Sequence, residues 1–211
     1  MQLRRALPLL TTCATVALNG CGGNEQRLDP AVRAATFRFA DTVAPRDREW
    51  ILAAVDKSRP EARQLIDDID GMVAITTFAD ANGRAVGMMR PVAVGQYEVT
   101  FNIAYLDGER KLDRDSTVVH ELGHVVDHAL VPAELRDQLA NELPNTGACF
   151  SGDTGDCTAS PERFADTFAK WALRGAVSAV GAGYSVATPA SLEDWGAPLS
   201  ALAIDVAVAS R

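Results

Sequence analysis

The chain has 211 residues, of which 47% are hydrophobic and 23% charged, and its formal net charge is −8. This length suits one globular domain with a full core and is short for two. Nucleic acids are bound by basic patches, whereas the lysines and arginines here are scattered along an acidic chain, so we expect no nucleic-acid partner.

The first predicted element is an export signal at the N-terminus. Met1–Arg5 contains arginines and no acidic residue, and the apolar stretch Ala6–Leu18 that follows is too short to span a bilayer. The next residues, Leu18-Asn19-Gly20-Cys21, resemble a bacterial lipobox, which implies cleavage before Cys21 and a lipid anchor on that cysteine. We therefore expect a protein of the bacterial cell envelope that meets the membrane only through this anchor. The alternative is an ordinary signal peptide and a secreted protein.

The rest of the chain is divided into a lead-in and one domain. We assign residues 1–20 to the signal, 21–45 to a tether and lead-in, and 46–211 to the domain. Apolar spacing and turn residues predict helices over Asp47–Lys57, Glu61–Ile69, 115–130, 132–142, 161–174 and 197–210, and strands over Met72–Phe78, Val86–Arg90 and Gln96–Leu106. Because the strands stand together between two groups of helices, the order favours an α+β fold with a small antiparallel sheet.

The helix predicted from residue 115 contains the motif His120-Glu121-Leu122-Gly123-His124. Residues four apart lie on one face of a helix, so the imidazoles of His120 and His124 can both reach one Zn²⁺ ion. Glu121 stands beside them and can accept a proton from water, as expected for the H-E-x-x-H signature. All 3 histidines of the chain lie between positions 120 and 128, which argues against a chance match. The sequence therefore predicts a zinc site here.

A catalytic zinc ion needs a third protein ligand, and the best candidate lies on the helix predicted from residue 161. Glu162 falls in its first turn, and Asp166 follows at i+4 on the same face. We expect Glu162 to complete the ligand set and Asp166 to accept a hydrogen bond from a ligand imidazole. The alternative is a surface helix that carries two solvated acids.

These two motifs resemble those of the gluzincins, and most closely those of the anthrax lethal factor-like and Pro-Pro endopeptidase group. The first motif is matched by His120, Glu121, Gly123, His124 and Asp127, and the second by Glu162, Phe164, Ala165, Asp166 and Phe168. Metzincins differ, because they have a third histidine where this chain has Leu130. The resemblance covers about residues 95–175. It implies a zincin fold over the domain, an exported location and endopeptidase activity, with Asp127 as a second supporting carboxylate.

The chain departs from the family pattern ahead of Glu162. Family members have a tyrosine there that helps to stabilise the oxyanion, but residues 144–161 contain no tyrosine. Tyr184 is the candidate for this role. The same stretch holds Cys149 and Cys157, which an oxidising compartment would join as a disulfide. Two free thiols or two metal ligands are the alternatives.

These observations predict hydrolysis of a peptide or protein substrate by a zinc enzyme with Glu121 as general base. An extended peptide is expected to pair with a sheet edge, for which Met72–Phe78 and Gln96–Leu106 are the candidates. A highly selective or self-processing protease is one variant of this hypothesis. The alternative from another class is a non-catalytic surface lipoprotein that uses a zincin fold as a zinc-binding module.

Overall fold

The centre of the structure is a four-stranded mixed sheet. The computed structural model describes residues 37–83, 85–106, 112–144, 160–175 and 186–209. The strands are β1 (Arg38–Phe39), β2 (Val73–Phe78), β3 (Gly87–Ala93) and β4 (Gln96–Asn102), and their order across the sheet is β1-β2-β4-β3. β1 and β4 both run parallel to β2, while β3 runs antiparallel to β4. Within the described ranges, β3 therefore forms one edge of the sheet and β1 the other.

The described ranges also contain seven α-helices. They are α1 (Pro45–Lys57), α2 (Pro60–Ile69), the single turn α3 (Ile103–Leu106), α4 (Arg114–Ala129), α5 (Ala133–Asn141), α6 (Ser160–Ala172) and α7 (Leu192–Ala209). α4 packs most extensively against α6, and it also contacts α1, α2, β3 and β4. The longest predicted helices are confirmed to within a few residues, except that α7 begins five residues before the predicted residue 197.

Alternating side chains explain why β4 lies inside the fold. Tyr97, Val99 and Phe101 are buried on the face that packs on the helices, whereas Glu98 and Thr100 are only half-buried on the other face. The buried face and the apolar stripes of the helices share one hydrophobic core. This core holds α4 against the sheet, which places the His120–His124 motif beside β3.

Three predictions about the sheet are wrong. The strand predicted to reach Leu106 ends at Asn102, because Ile103–Leu106 forms a helical turn. The sheet is not antiparallel, because β1, β2 and β4 are parallel. Neither Met72–Phe78 nor Gln96–Leu106 supplies an edge, since β2 and β4 are the inner strands. What remains is an α+β architecture whose sheet is mixed.

The start of the described chain packs with the domain. Phe37 and Val43 are buried, and β1 pairs with β2, so residues 37–44 of the predicted lead-in take part in the fold. The predicted signal and Cys21 lie outside the described residues. Among the helices that the structure describes, none has the length and apolar character needed to cross a bilayer.

Candidate metal centre

Helix α4 holds the two histidines in a rigid, buried position. The side chain of Asp113 caps its first turn by accepting a hydrogen bond from the Ser116 N–H at 3.0 Å. Every residue from Ser116 to Asp127 is buried. The apolar ones fill the core, while His120 and His124 lie one turn apart on the side that faces α6. A helix supported on all sides in this way fixes the directions of both imidazoles.

Helix α6 approaches α4 closely because residue 123 is a glycine. A Cβ atom built on Gly123 would lie 2.9 Å from Cδ1 of Phe168 and 3.4 Å from Cα of Ala165. The first distance is shorter than any normal carbon–carbon contact, and the buried ring of Phe168 has no room to retreat. Gly123 therefore lets the two helix backbones come near enough for Glu162 to reach the histidines.

The two imidazoles and the Glu162 carboxylate meet at one point. Oε2 of Glu162 lies 3.2 Å from Nε2 of His120 and 3.4 Å from Nε2 of His124. One ligand atom from each of the three residues lies within 4.8 Å of the others, so together they are close enough to hold a single metal ion. The histidine side chains are 8% exposed and the Glu162 side chain is 27% exposed. The site is thus open to solvent from the Glu162 side.

The charges at this point are strongly coupled. Burial lowers the pKa of His120 more than its hydrogen bond with Glu162 raises it. Burial also acts to lower the pKa of His124, but its hydrogen bond with Glu162 and the surrounding carboxylates outweigh this effect and raise it. Burial would raise the pKa of Glu162, yet its hydrogen bonds with the two histidines hold it well below the usual range. Glu162 is therefore an anion, as a metal ligand must be.

Glu121 differs from Glu162 because burial dominates its ionisation. Its side chain lies within the protein, and burial raises the pKa of Glu121 to about 8. The nearby His124 acts to lower this pKa, and Glu162 acts to raise it. A general base works best when its pKa is close to the pH at which it operates. With this pKa the Glu121 carboxyl holds its proton at neutral pH, and a cation bound to the neighbouring groups would favour the ionised form. Glu121 therefore has the position of a proton acceptor next to the three candidate ligands.

The edge strand β3 contacts Glu121 through Gly87, a residue that the sequence analysis did not single out. A Cβ atom built on Gly87 would lie 2.7 Å from Cγ and 2.8 Å from Cδ of Glu121. Asn102, also missed, is fully buried and organises the loop before β3. A glycine inside a predicted strand is a known sign of close backbone approach, so the sequence could have identified Gly87 as a contact point.

The two carboxylates predicted to support the ligands bind basic side chains. Oδ2 of Asp166 accepts a hydrogen bond from Nζ of Lys170 at 2.6 Å, and the Val186 N–H also donates to this carboxylate. Burial raises the pKa of Asp166 to about 6 against the effect of Lys170. Asp127 accepts from Nε of Arg136 at 2.6 Å and is close enough to His124 to help raise its pKa. Asp166 thus forms an ion pair on α6, and its predicted hydrogen bond from a ligand imidazole stays a prediction.

The remaining predicted site residues lie outside the described residues. These are Tyr184 as oxyanion helper, Cys149 and Cys157 as a disulfide, and Cys21 as the lipidation site. Of the described tyrosines, Tyr97 packs beside the ring of His128, and the Tyr105 hydroxyl donates to the carbonyl of Gly83.

No protein-family model, no curated protein and no solved structure matches this chain.

Proposed function

We propose that this chain is a zinc-dependent endopeptidase in which His120, His124 and Glu162 hold the ion and Glu121 is the general base. The observation that carries the proposal is the convergence of two imidazoles and one carboxylate beside a second, buried carboxylate. A zinc site that only stabilises the fold has four protein ligands and no use for a neighbouring base such as Glu121.

The donor set and its spacing suit zinc. Two imidazole nitrogens and one carboxylate oxygen are the ligands of a known class of catalytic zinc site, which keeps a fourth position open for water. Donors placed tetrahedrally at roughly 2.0–2.1 Å from an ion stand about 3.3 Å apart. The Glu162 oxygen stands 3.2 Å and 3.4 Å from the two nitrogens, and all three ligand atoms lie within 4.8 Å of one another, so the two spacings that involve Glu162 match those of a tetrahedral site. Calcium and magnesium prefer oxygen ligands, so the histidine pair argues against them.

Glu121 is the residue that transfers protons in the proposed reaction. Bound zinc supplies a Lewis acid that lowers the pKa of water to about 7 and polarises a carbonyl group. The Glu121 carboxylate accepts a proton from the attacking water and later donates it to the amine that leaves. Burial raises the pKa of Glu121, and a cation bound to the three neighbouring ligands would lower it again, so that the carboxylate form is available to accept the proton.

The peptide substrate is proposed to bind along the open edge of β3. This strand lies against α4 and has a neighbouring strand on one side only, as far as the described residues extend. An extended peptide that pairs with such an edge adds one strand to the sheet. Since Gly87 contacts Glu121, a peptide bound there would pass close to the catalytic carboxylate. β3 thus replaces the two strands that the sequence analysis offered for this role.

We further propose that the protein is exported and anchored to the cell envelope through a lipid on Cys21, with secretion as the alternative. The support for this is the N-terminal sequence alone. A Cys21→Ser variant is expected to leave the membrane fraction. Retention of this variant in the membrane fraction would contradict the anchor.

The test of the enzyme proposal combines metal content with hydrolysis. The purified protein is stripped with a chelator, reloaded with one equivalent of zinc and incubated with a library of peptides and with itself. We expect one zinc per chain and cleavage that disappears on chelation. Glu121→Gln should keep its zinc and lose roughly 10²- to 10⁴-fold in rate, as the removal of a general base does.

The matched control is Glu134→Gln, which removes an exposed carboxylate from the first turn of α5. It should retain both zinc and activity. If zinc-loaded Glu121→Gln cleaves as fast as the unaltered protein, Glu121 is not the base. If the zinc-loaded protein cleaves neither the library nor itself, the non-catalytic binding module is favoured instead.

A further inference from the structure

We propose that Gly87 is a positioning residue for Glu121: the missing side chain at this point of β3 gives the catalytic carboxylate its place. The inference rests on the proposed function and deepens it, because it names a residue that acts on the base and not on the metal.

The Gly87 backbone and the Glu121 side chain are in direct contact. Gly87 is in β3 and Glu121 is in α4, and the Glu121 side chain packs directly on the Gly87 backbone. A Cβ atom at position 87 would overlap Oε1 of Glu121 and would lie 2.7 Å from its Cγ and 2.8 Å from its Cδ. Three overlaps along one side chain mean that no small rotation of the carboxylate relieves them all. Only glycine fits beside Glu121 in its present position.

β3 cannot easily withdraw from α4. Gly87 is opposite the fully buried Phe101 of β4, and the Val86 carbonyl accepts a hydrogen bond from the Asn102 N–H at 2.8 Å. The Asn102 side chain donates to the carbonyls of Asp80 and Ala85 and accepts from the N–H groups of Asp80 and Ala104. The start of β3 is therefore fixed at several points.

The two partners differ in how firmly each is held. The strand is held by its ladder and by Asn102, whereas the Glu121 carboxylate is the far end of a side chain with rotatable bonds. A methyl group at position 87 should therefore displace the carboxylate more than the strand. A general base that moves by about 1 Å can lose on the order of 10²-fold in rate. His120 and His124 lie on the α6 side of the helix, so zinc binding should not change.

The test is a double-mutant cycle of Gly87→Ala and Glu121→Ala, with Gly71→Ala as the control because a Cβ at position 71 meets nothing within 4 Å. In the presence of Glu121, Gly87→Ala should lower Tm by roughly 3–10 °C, as overpacking does. When residue 121 is alanine, the same change should lower Tm by less than about 2 °C. Gly71→Ala should show no such dependence.

The second arm measures turnover of a peptide that the unaltered protein cleaves. Zinc-loaded Gly87→Ala should keep one zinc per chain and its KM while kcat falls roughly 10- to 100-fold. A structural defect alone would lower zinc content and stability without this separation of kcat from KM.

Three results would overturn the inference. An equal loss of Tm with and without the Glu121 side chain would show that Gly87 serves the strand and not the base. An active protein whose kcat is unaffected by Gly87→Ala would show the same. Failure of the double variant to fold would also count against it, because removal of the Glu121 side chain should relieve the overlap. If the unaltered protein cleaves no peptide, the proposed function fails. The Tm values of the double-mutant cycle still show whether the residue at position 87 and the Glu121 side chain interact.

Discussion

Helix α4 is approached closely at a glycine on two sides, once next to the candidate metal ligands and once next to the candidate base. On the side of α6, Gly123 allows a close backbone approach that brings Glu162 to the histidines. On the side of β3, Gly87 allows a close approach that leaves room for Glu121. One helix thus uses two glycine contacts, the first to assemble the three candidate ligands and the second to place the candidate base.

The difference between the two sides is electrostatic. Glu162 has two imidazole partners that hold its pKa low, so it stays charged and suits a cation. Burial keeps the pKa of Glu121 high, at about 8, so it suits the exchange of protons. Two glutamates near the same point therefore have opposite ionisation because of what surrounds each one. Changes on the α6 side should alter metal affinity, and changes on the β3 side should alter turnover.

The largest effect is expected from Glu162→Gln. An amide is a poor ligand, so the change leaves two protein ligands in a site that needs three. Zinc affinity should fall by more than the roughly 100-fold that loss of an outer partner costs. Isothermal titration of the zinc-free protein with zinc measures this directly. Zinc affinity equal to that of the unaltered protein would remove Glu162 from the ligand set and break the comparison.

A smaller effect is expected from the Asp166–Lys170 ion pair. Asp166→Asn and Lys170→Met should each lower the free energy of unfolding by about 1.5–3 kcal/mol, the range for hydrogen bonds to charged groups. The double variant should lose little more than either single one, because both changes remove one interaction. Zinc affinity should fall less than about 10-fold in Asp166→Asn.

A different result is expected if the main role of Asp166 is to orient a metal ligand. If Asp166 orients a ligand imidazole, as the sequence predicted, Asp166→Asn should cost roughly 10- to 100-fold in zinc affinity while Lys170→Met costs far less. Titration of both variants with zinc separates the two roles.

The smallest effect on stability is expected from Gly123→Ala. The methyl group must push against Phe168 and Ala165, and overpacking costs about 1–3 kcal/mol. Replacing glycine by alanine in a helix returns about 1 kcal/mol. The free energy of unfolding should therefore fall by about 0–2 kcal/mol, while zinc affinity falls roughly 10-fold as α6 moves away. Turnover at saturating zinc should be less affected than in Gly87→Ala; the reverse order would contradict the division between the two sides.

The sequence predicted the helical side of this arrangement well, for physical reasons. The i, i+4 spacing of His120 and His124 fixes their shared face, and the aromatic stripe that begins at Phe164 fixes the buried face of α6. The proximity of Glu162 to the histidines follows from these two faces, and the structure confirms it.

The side of the sheet could not be predicted in the same way. Strand order and direction depend on pairing between distant segments, and alternation within β4 says which residues are buried but not which strands flank it. The end of β4 at Asn102 was missed because the alternating pattern continues through Tyr105 while the side chain of Asn102 caps the helical turn that follows. The partner of Asp166 was missed because the i, i+4 spacing of Asp166 and Lys170, which favours an ion pair on one helix, was not weighed against a bond to an imidazole.

The most direct test of the central claim is a crystal structure of the zinc-loaded protein with anomalous diffraction data at the zinc edge. The account predicts one zinc peak at roughly 2.0–2.2 Å from Nε2 of His120, Nε2 of His124 and a carboxylate oxygen of Glu162, with Glu121 adjacent but not coordinated. A peak whose third protein ligand is Asp166, Asp127 or a cysteine, or a peak away from the two histidines, would contradict it.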